Sequence, residues 1–293
     1  MASVRDTQKI TNAMYLIAST KLQKAKRDLD QTMPYFSALR GEIKRIFRTV
    51  GEIESQYFYR TGSEQDFPGT YGYLVITADK GLAGAYNQNA IREAQRLMAA
   101  HADNKLFVVG EYGRQYFTSH GVPIERSFLY TAQNPTLPRA REICGQLLDL
   151  YQQGELVKIF VIYTDFSGLG SSARSVRLLP FHRSQFSSAS REKAVKIPFE
   201  FSPNVEQLLD CIIPSYVTGF IYSALVDSFC SEQSARMTAM DSANKNAQEL
   251  LDELSMQYNH MRQGAITQEI TEISAGALGQ RRSAQQMEGG LRP

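Results

Sequence analysis

ITQEITEISAGAL, residues 266–278, closes a run of more than 60 residues in which apolar positions recur every three or four steps while the opposite face stays polar. The run opens near Val205 and passes through Met237, Met240, Ala247, Leu251, Leu254, Tyr258, Met261 and Ala265. That spacing keeps a narrow stripe on one face of a helix, the pattern of a coiled-coil seam. A helix that long is too extended to be a globular-core helix, so it needs a partner along its length. A matching run lies at the other end of the chain: Ile10, Met14, Ile17, Lys21, Ala25, Leu29, Phe36, Leu39, Ile43, Ile46, Val50 and Ile53, interrupted by Pro34. Each run has too little apolar surface to bury itself, and the chain must return from one to the other, so an antiparallel pair is the simplest arrangement.

Charge agrees with the pairing. Residues 1–60 hold 11 Lys/Arg and 6 Asp/Glu, whereas residues 204–293 hold 6 and 11, giving the arms formal charges of +5 and −5. The whole chain of 293 residues is nearly balanced at +2, which gives no global drive toward nucleic acid. Cys144, Cys211 and Cys230 lie far apart without metal-like spacing and read as free thiols. The N-terminus MASVRDTQKI has no apolar core of a signal peptide, and the reading finds no apolar run long enough to span a membrane.

Between the arms the period changes. YGYLVIT (71–77), KLFVVG (105–110), KIFVIYT (158–164) and SVRLLPF (175–181) read as strands, separated by helical patterns at 88–101 and 138–153. Strands alternating with helices predict a mostly parallel sheet. VKIPFEF (195–201) reads as an edge strand because its proline lacks a ladder donor. Pro68–Gly69 and the Ser-rich 184–190 stretch mark weak points of this domain. The fold class is thus α/β: a long antiparallel coiled coil of N- and C-terminal helices with an inserted Rossmann-like α/β domain. The expected division is 1–60 for the first arm, 61–203 for the α/β domain and 204–278 for the second arm. The polar segment 279–293 is expected to be a disordered tail.

Chemistry is sparse. The loop ADKGLAGAYNQN (78–89) precedes a helix start, where free backbone N–H groups attract anions, but it matches neither the dinucleotide fingerprint nor the P-loop. A tight strand-to-helix turn is the plainer reading. His101, His120, His182 and His260 stand alone, with no second metal ligand at helical spacing. No nucleophile elbow is present. Glu269 and Glu272 share a helix face but read as a solvated or partner-facing charge pair. No catalytic residue, cofactor or metal site is therefore assigned. Lys21, Lys24, Lys26 and Arg27 crowd two turns of the first helix, either as a solubilising face or as a collar meeting an acidic partner surface.

Three segments together resemble the gamma subunit of the F-type rotary ATP synthase over nearly the whole chain. They are DTQKITNAMYLIASTKL (6–22), ITADKGLAGAYN (76–87), and the pair SEQSARMTAMDSANKNA (231–247) with ITQEITEISAGA (266–277). The resemblance implies a non-catalytic shaft. Its two arms would sit inside a hexamer of three alpha and three beta subunits and its α/β domain on the membrane-embedded c-ring, with an epsilon-type subunit beside it. It implies neither nucleic-acid binding nor membrane insertion: association would be peripheral, at the cytoplasmic side of a bacterial cell membrane. By the same resemblance Met14, Lys21 and Lys24 face acidic lever loops of beta, and Gln233 and Arg236 meet a catching loop on beta. Thr267, Gln268, Glu269 and Glu272 belong to the signature that runs up into the hexamer's bearing. Members of the family usually begin a few helical turns earlier and stop sooner after the signature. Either the true start lies upstream of Met1 or the shaft is shortened, in which case the last turns of the C-terminal helix would lack an N-terminal partner. Two other readings compete: a nucleotide-binding enzyme or sensor built on the α/β domain, and a scaffold whose basic patch binds anionic lipid.

Overall fold

A computed structural model describes residues 1–49, 55–59, 68–129, 132–166, 171–182, 186 and 204–289. The expected strand at 195–201 and most of the Ser-rich 184–190 stretch lie outside these. The element order is α1 (Ala2–Thr49), β1 (Tyr71–Ile76), α2 (Tyr86–Ala100), β2 (Asn104–Val109), α3 (Glu111–Ser119), β3 (Arg126–Phe128), α4 (Leu137–Gln152), β4 (Lys158–Phe166), β5 (Ser171–Leu179) and α5 (Val205–Gly289). The chain divides into two compact units. One joins Met1–Met14 with Met240–Pro293, and the other is Tyr15–Ala239.

In the second unit the sheet runs in the order β3-β2-β1-β4-β5. Its first four strands are parallel, and β5 is antiparallel to β4. The parallel strands are apolar on both faces because helices cover both. One face meets α2 and α3 through Tyr73, Val75, Leu106, Val108 and Ile162 against Ile91, Ala94 and Phe117. The other face uses Leu74, Ile76, Phe107, Val109, Ile159 and Val161. It packs on α4 through Ala140, Ile143 and Leu147, and on the two long helices through Ile43, Ile46, Leu209, Ile213, Val217 and Ile221.

This corrects the sequence reading of the arms in one respect. The stretch of α5 from Leu209 to Cys230 is a core helix, with Leu209, Ile213, Val217 and Ile221 at most 0 % exposed. The seam belongs to the helix further on. The same burial explains why α5 contains an 18-residue window apolar enough by composition to cross a membrane, more than half of it (56 %) buried in the protein. This overturns the expectation that no stretch is long and apolar enough to suggest a membrane span. Here the apolar residues are answered by the sheet.

Within this unit α1 and α5 run in opposite directions, with Phe36 beside Tyr222 (ring centroids 6.4 Å apart). Pro34 and Pro214 sit inside the two helices without ending them. The carbonyl of Pro214 accepts the Thr218 hydroxyl at 2.8 Å.

The other unit is a pair of helical segments. Thr11 Oγ1 donates to Asn244 Oδ1, and Gln8 Nε2 donates to Gln248 Oε1 at 3.3 Å. Partners that descend α5 as α1 ascends define an antiparallel pair. Met240 and Leu251 are buried in it. The backbone of 279–289 continues α5 as helix, where the sequence pattern led to the expectation of a disordered tail. Its Ala, Arg, Gln, Met and Glu residues are among the better helix formers.

Candidate functional site

The C-terminal ends of β1 and β4 are where doubly wound sheets open a ligand crevice, because connections leave β1 in opposite directions on its two sides. Here that crevice is filled by the chain itself. Ser228 Oγ of α5 accepts the backbone N–H of Thr164 at 3.2 Å, and Ser231 Oγ donates to the Thr164 carbonyl at 3.3 Å. Tyr86, at the start of α2, is buried beside Ser228 and Glu232, and burial pushes its hydroxyl well above the ordinary range. Ala78, Ala83 and Tyr86 close over Ala235.

The loop between β1 and α2 is pinned at its base. Asn87 Oδ1 accepts the Ala78 N–H at 2.9 Å. The Asp79 carboxylate accepts the backbone N–H groups of Glu111 (2.9 Å) and Gln133 (3.2 Å), so the start of α3 already holds an anion. The chain can cross here because Gly110 has φ 96°, and a Cβ on it would lie 2.3 Å from the Thr77 carbonyl oxygen. The filling of the crevice by α5 argues against a nucleotide cradle.

Glu232 and Arg236 form an ion pair one helical turn apart, at 2.6 Å, with side chains only 8 % and 11 % exposed. Arg236 Nη2 also donates to the Gly81 carbonyl at 3.1 Å. Burial raises the Glu232 carboxyl above its usual range; Arg236 and Lys21 oppose that rise and Asp79 adds to it. Gln233 is 3 % exposed. The resemblance implies that Gln233 and Arg236 meet a partner's loop; within this chain Gln233 is buried and Arg236 reaches the Gly81 carbonyl of the β1–α2 loop. Sequence reading missed Glu232, Asp79 and Gly81 as their neighbours. The spacing of Glu232 and Arg236 carried a signal for the pair, whereas nothing local linked Arg236 to a loop 155 residues away.

The basic collar is different. Ala18 and Ala25 are buried, whereas Lys21, at the edge of the same helix face, and Lys24 are exposed. Lys26 lies over the Phe166 ring, 4.5 Å from its centroid. Lys21, Lys24 and Asp28 rim a cleft of about 170 Å³ whose floor is Ala25, Tyr222, Val226 and Phe229. Nearby Asp227 is largely buried and faces Asp165. Burial first, then that like charge, pushes its carboxyl up to about 6, against a hydrogen bond from Ser223. Asp165 is ion-paired to Arg174 at 3.1 Å. Burial also lifts the Cys144 and Cys230 thiols, to about 11 and about 12, so neither is poised as a thiolate. All three cysteines are unpaired.

In the other unit Met14 is half-buried, whereas Thr267, Gln268, Glu269 and Glu272 are exposed. Thr267 Oγ1 donates to the Gln263 carbonyl at 2.9 Å, and Gln268 donates to Glu272 at 3.0 Å, so both polar pairs stay on their own helix. Ile266, Ile270 and Ile273 form an apolar stripe beside them that is 44–66 % exposed. Contiguous exposed apolar patches are a general feature of interaction surfaces. Among the described residues no group of three or more His, Cys, Asp or Glu could hold a metal ion.

A family model described as ATP synthase matches residues 1–278, leaving only the last residues outside it. An ATP synthase gamma chain of Caldanaerobacter subterraneus is 42 % identical over 283 residues, covering 94 % of this chain and 96 % of that one. The corresponding protein of Acetivibrio thermocellus is 38 % identical, covering 94 % and 95 %. A relative in Acetobacterium woodii, described as sodium ion specific, is 33 % identical with 94 % of each chain covered. Among solved structures, a chain of the central stalk and c-ring of the Tetrahymena thermophila mitochondrial ATP synthase superposes with a TM-score of 0.61 at 24 % identity, over 80 % of this chain and 99 % of that one. A chain of the Euglena gracilis enzyme does so with 0.54 at 15 % identity, over 96 % and 97 %. These two likenesses concern the fold.

Proposed function

The chain belongs to the ATP synthase gamma-chain family, and from that premise we propose that it is the central rotating shaft of an F-type ATP synthase. In this reading it couples ion-driven rotation of the membrane ring to conformational change in the catalytic beta subunits, for synthesis or hydrolysis of ATP. The chain itself is a non-catalytic subunit. The observation that carries the reading is the antiparallel pairing of the chain's two terminal helices, Thr11 to Asn244 and Gln8 to Gln248, in a protein whose sheet domain is inserted between them. Paired helices resist twisting far better than one, and two unlike helices give a cross-section without rotational symmetry. A body of that section, turned inside a ring of three equal sites, presents a different face to each in succession.

The partners follow from the family: three alpha and three beta subunits around the helical pair, with an epsilon-type subunit and the c-ring at the sheet domain. The complex would sit peripherally at the cytoplasmic side of a bacterial membrane. The domain assignment follows the same logic, with 1–60 and 204–278 as the shaft and 61–203 as the foot. Met14, Lys21 and Lys24 are the proposed contacts for acidic lever loops of beta. Thr267, Gln268, Glu269 and Glu272, beside the exposed stripe of Ile266, Ile270 and Ile273, are the proposed bearing contacts. Two exposed lysines on one helix face attract carboxylates within about a Debye length at ordinary ionic strength. Exposed isoleucines supply an apolar surface that closes on assembly.

Reconstitution tests this. The chain is mixed with alpha and beta subunits from the same source, the complex is isolated by size, and ATP hydrolysis is measured with and without it. One copy per hexamer with much faster turnover supports the shaft; no complex at any subunit ratio rejects it.

A further inference from the structure

Arg236 makes a forked contact. Nη1 meets Glu232 on its own helix at 2.6 Å, and Nη2 donates to the carbonyl of Gly81 at the tip of the β1–α2 loop, at 3.1 Å. The tip it holds is unusual. Leu82 has φ 63°, the left-handed region that a branched side chain rarely occupies, and yet the residue is 64 % exposed. Its own side chain therefore gains little burial to offset that conformation. Lys80 and Gly81 beside it are exposed as well. The loop's other ties are at its two feet, through Asp79 and Asn87, and through the buried Ala83 and Tyr86 that close over Ala235. None of them fixes the carbonyl of Gly81.

We propose that Arg236 and Glu232 are positioning residues: the Arg236 fork latches the loop tip to α5 and so displays Lys80 and Leu82 outward in a fixed geometry. This assigns the pair a role inside the chain rather than contact with a partner. The chemistry requires arginine. A guanidinium reaches two acceptors in different directions from one plane, whereas an ammonium is a point charge that satisfies Glu232 and leaves the carbonyl. Glu232 fixes the plane: its buried carboxylate, between Arg236 and Lys21, holds the guanidinium where Nη2 points at Gly81.

The latch itself is independent of the shaft reading; only its effect on rotation rests on it. The test is hydrogen exchange of the amides of residues 80–84 in the free full-length chain, for wild type, Arg236→Lys, Arg236→Ala and Glu232→Gln. In Arg236→Lys the exchange of these amides rises roughly tenfold, the factor for losing one charge-assisted hydrogen bond. The amides of β1 and of α5 near Val226 stay as protected as in wild type, which separates release of the tip from general loosening. Glu232→Gln gives a smaller rise, since the fork keeps its carbonyl contact but loses its brace. Unchanged exchange at 80–84 in Arg236→Lys overturns the proposal, whether or not Arg236→Ala folds. In the complex assembled with alpha and beta subunits, Arg236→Lys retains assembly and loses part of its stimulation of ATP hydrolysis. Weakened assembly with normal loop protection would make Arg236 a partner contact and likewise reject the latch. Failure of the wild-type chain to assemble would reject the shaft reading, while the exchange measurement still decides the latch.

Discussion

The ring of Phe36 on α1 lies directly over Gly219 on α5, so closely that a Cβ placed on the glycine would be 2.1 Å from Cδ1 and 2.5 Å from Cγ. Phe36 is itself 7 % exposed and packs beside Tyr222. Gly219→Ala should therefore force the ring or the helix aside and cost about 1–3 kcal/mol, the usual range for overpacking a filled core. Urea unfolding of the full chain reads this as a lower midpoint with an unchanged slope.

Asp227 makes stability depend on pH. Its folded-state carboxyl is raised from 3.8 to about 6, so the folded form prefers the proton. The penalty is absent below the unfolded value, grows as pH rises from about 4 to about 6, and is complete above the folded value. Asp227→Asn removes it while keeping a partner for Ser223. The variant should be more stable than wild type by about 1–2 kcal/mol at pH 8, a figure reduced for partial exposure, and by progressively less toward pH 4. Equal gains at both ends of that range would mean that Asp227 titrates normally.

Ile270 is 59 % exposed in the signature stretch. Ile270→Asp should leave the free chain's stability within about 0.5 kcal/mol, as for most surface changes, while weakening assembly with alpha and beta subunits at least tenfold. A pull-down titration with parallel thermal melts separates the two effects. Loss of stability in the free chain would show that the stripe is already covered.

Lys21 and Lys24 are exposed, so Lys21→Glu with Lys24→Glu should fold, with some loss of stability because Lys21 is among the charges that favour the buried Glu232 carboxylate. In the assembled complex the double variant should lose stimulation of ATP hydrolysis several-fold and lose part of its salt dependence, because the attraction being screened has been reversed. A rate and salt profile equal to wild type would return these lysines to the role of a solubilising face.

Much of this fold was legible because periodicity reports burial. β1, β2, β4 and β5 stood out as short apolar runs, and α2 and α4 as amphipathic ones. β3 escaped because three residues carry no period, and α3 because its nine residues bury only Gly113 and Phe117. The seam was legible in Met240 and Leu251, but the core role of Leu209 to Cys230 was not, since apolar residues around most of a helix fit a longer seam equally well. At the candidate site, the seam spacing puts Lys21 on the stripe of Ala25, and the structure exposes it, with Lys24, at the rim of a cleft between α1 and α5. The contact of Arg236 with Gly81 was not legible, because the loop it reaches is far away in the sequence. Family resemblance marks such positions without saying whether they face a partner or the chain's own loop.

The shared core of the second unit bears on how the protein carries mechanical load. Ile43 and Ile46 of α1, Leu209, Ile213 and Val217 of α5, and Leu74, Val109 and Val161 of the sheet belong to one close-packed cluster. Interiors of this density are nearly incompressible. A twist applied to the sheet domain therefore enters both helices as pressure between side chains, much as a splined hub drives an axle, and not as tension in the covalent connections. In such a joint backlash is set by the packing of a few isoleucines, leucines and valines.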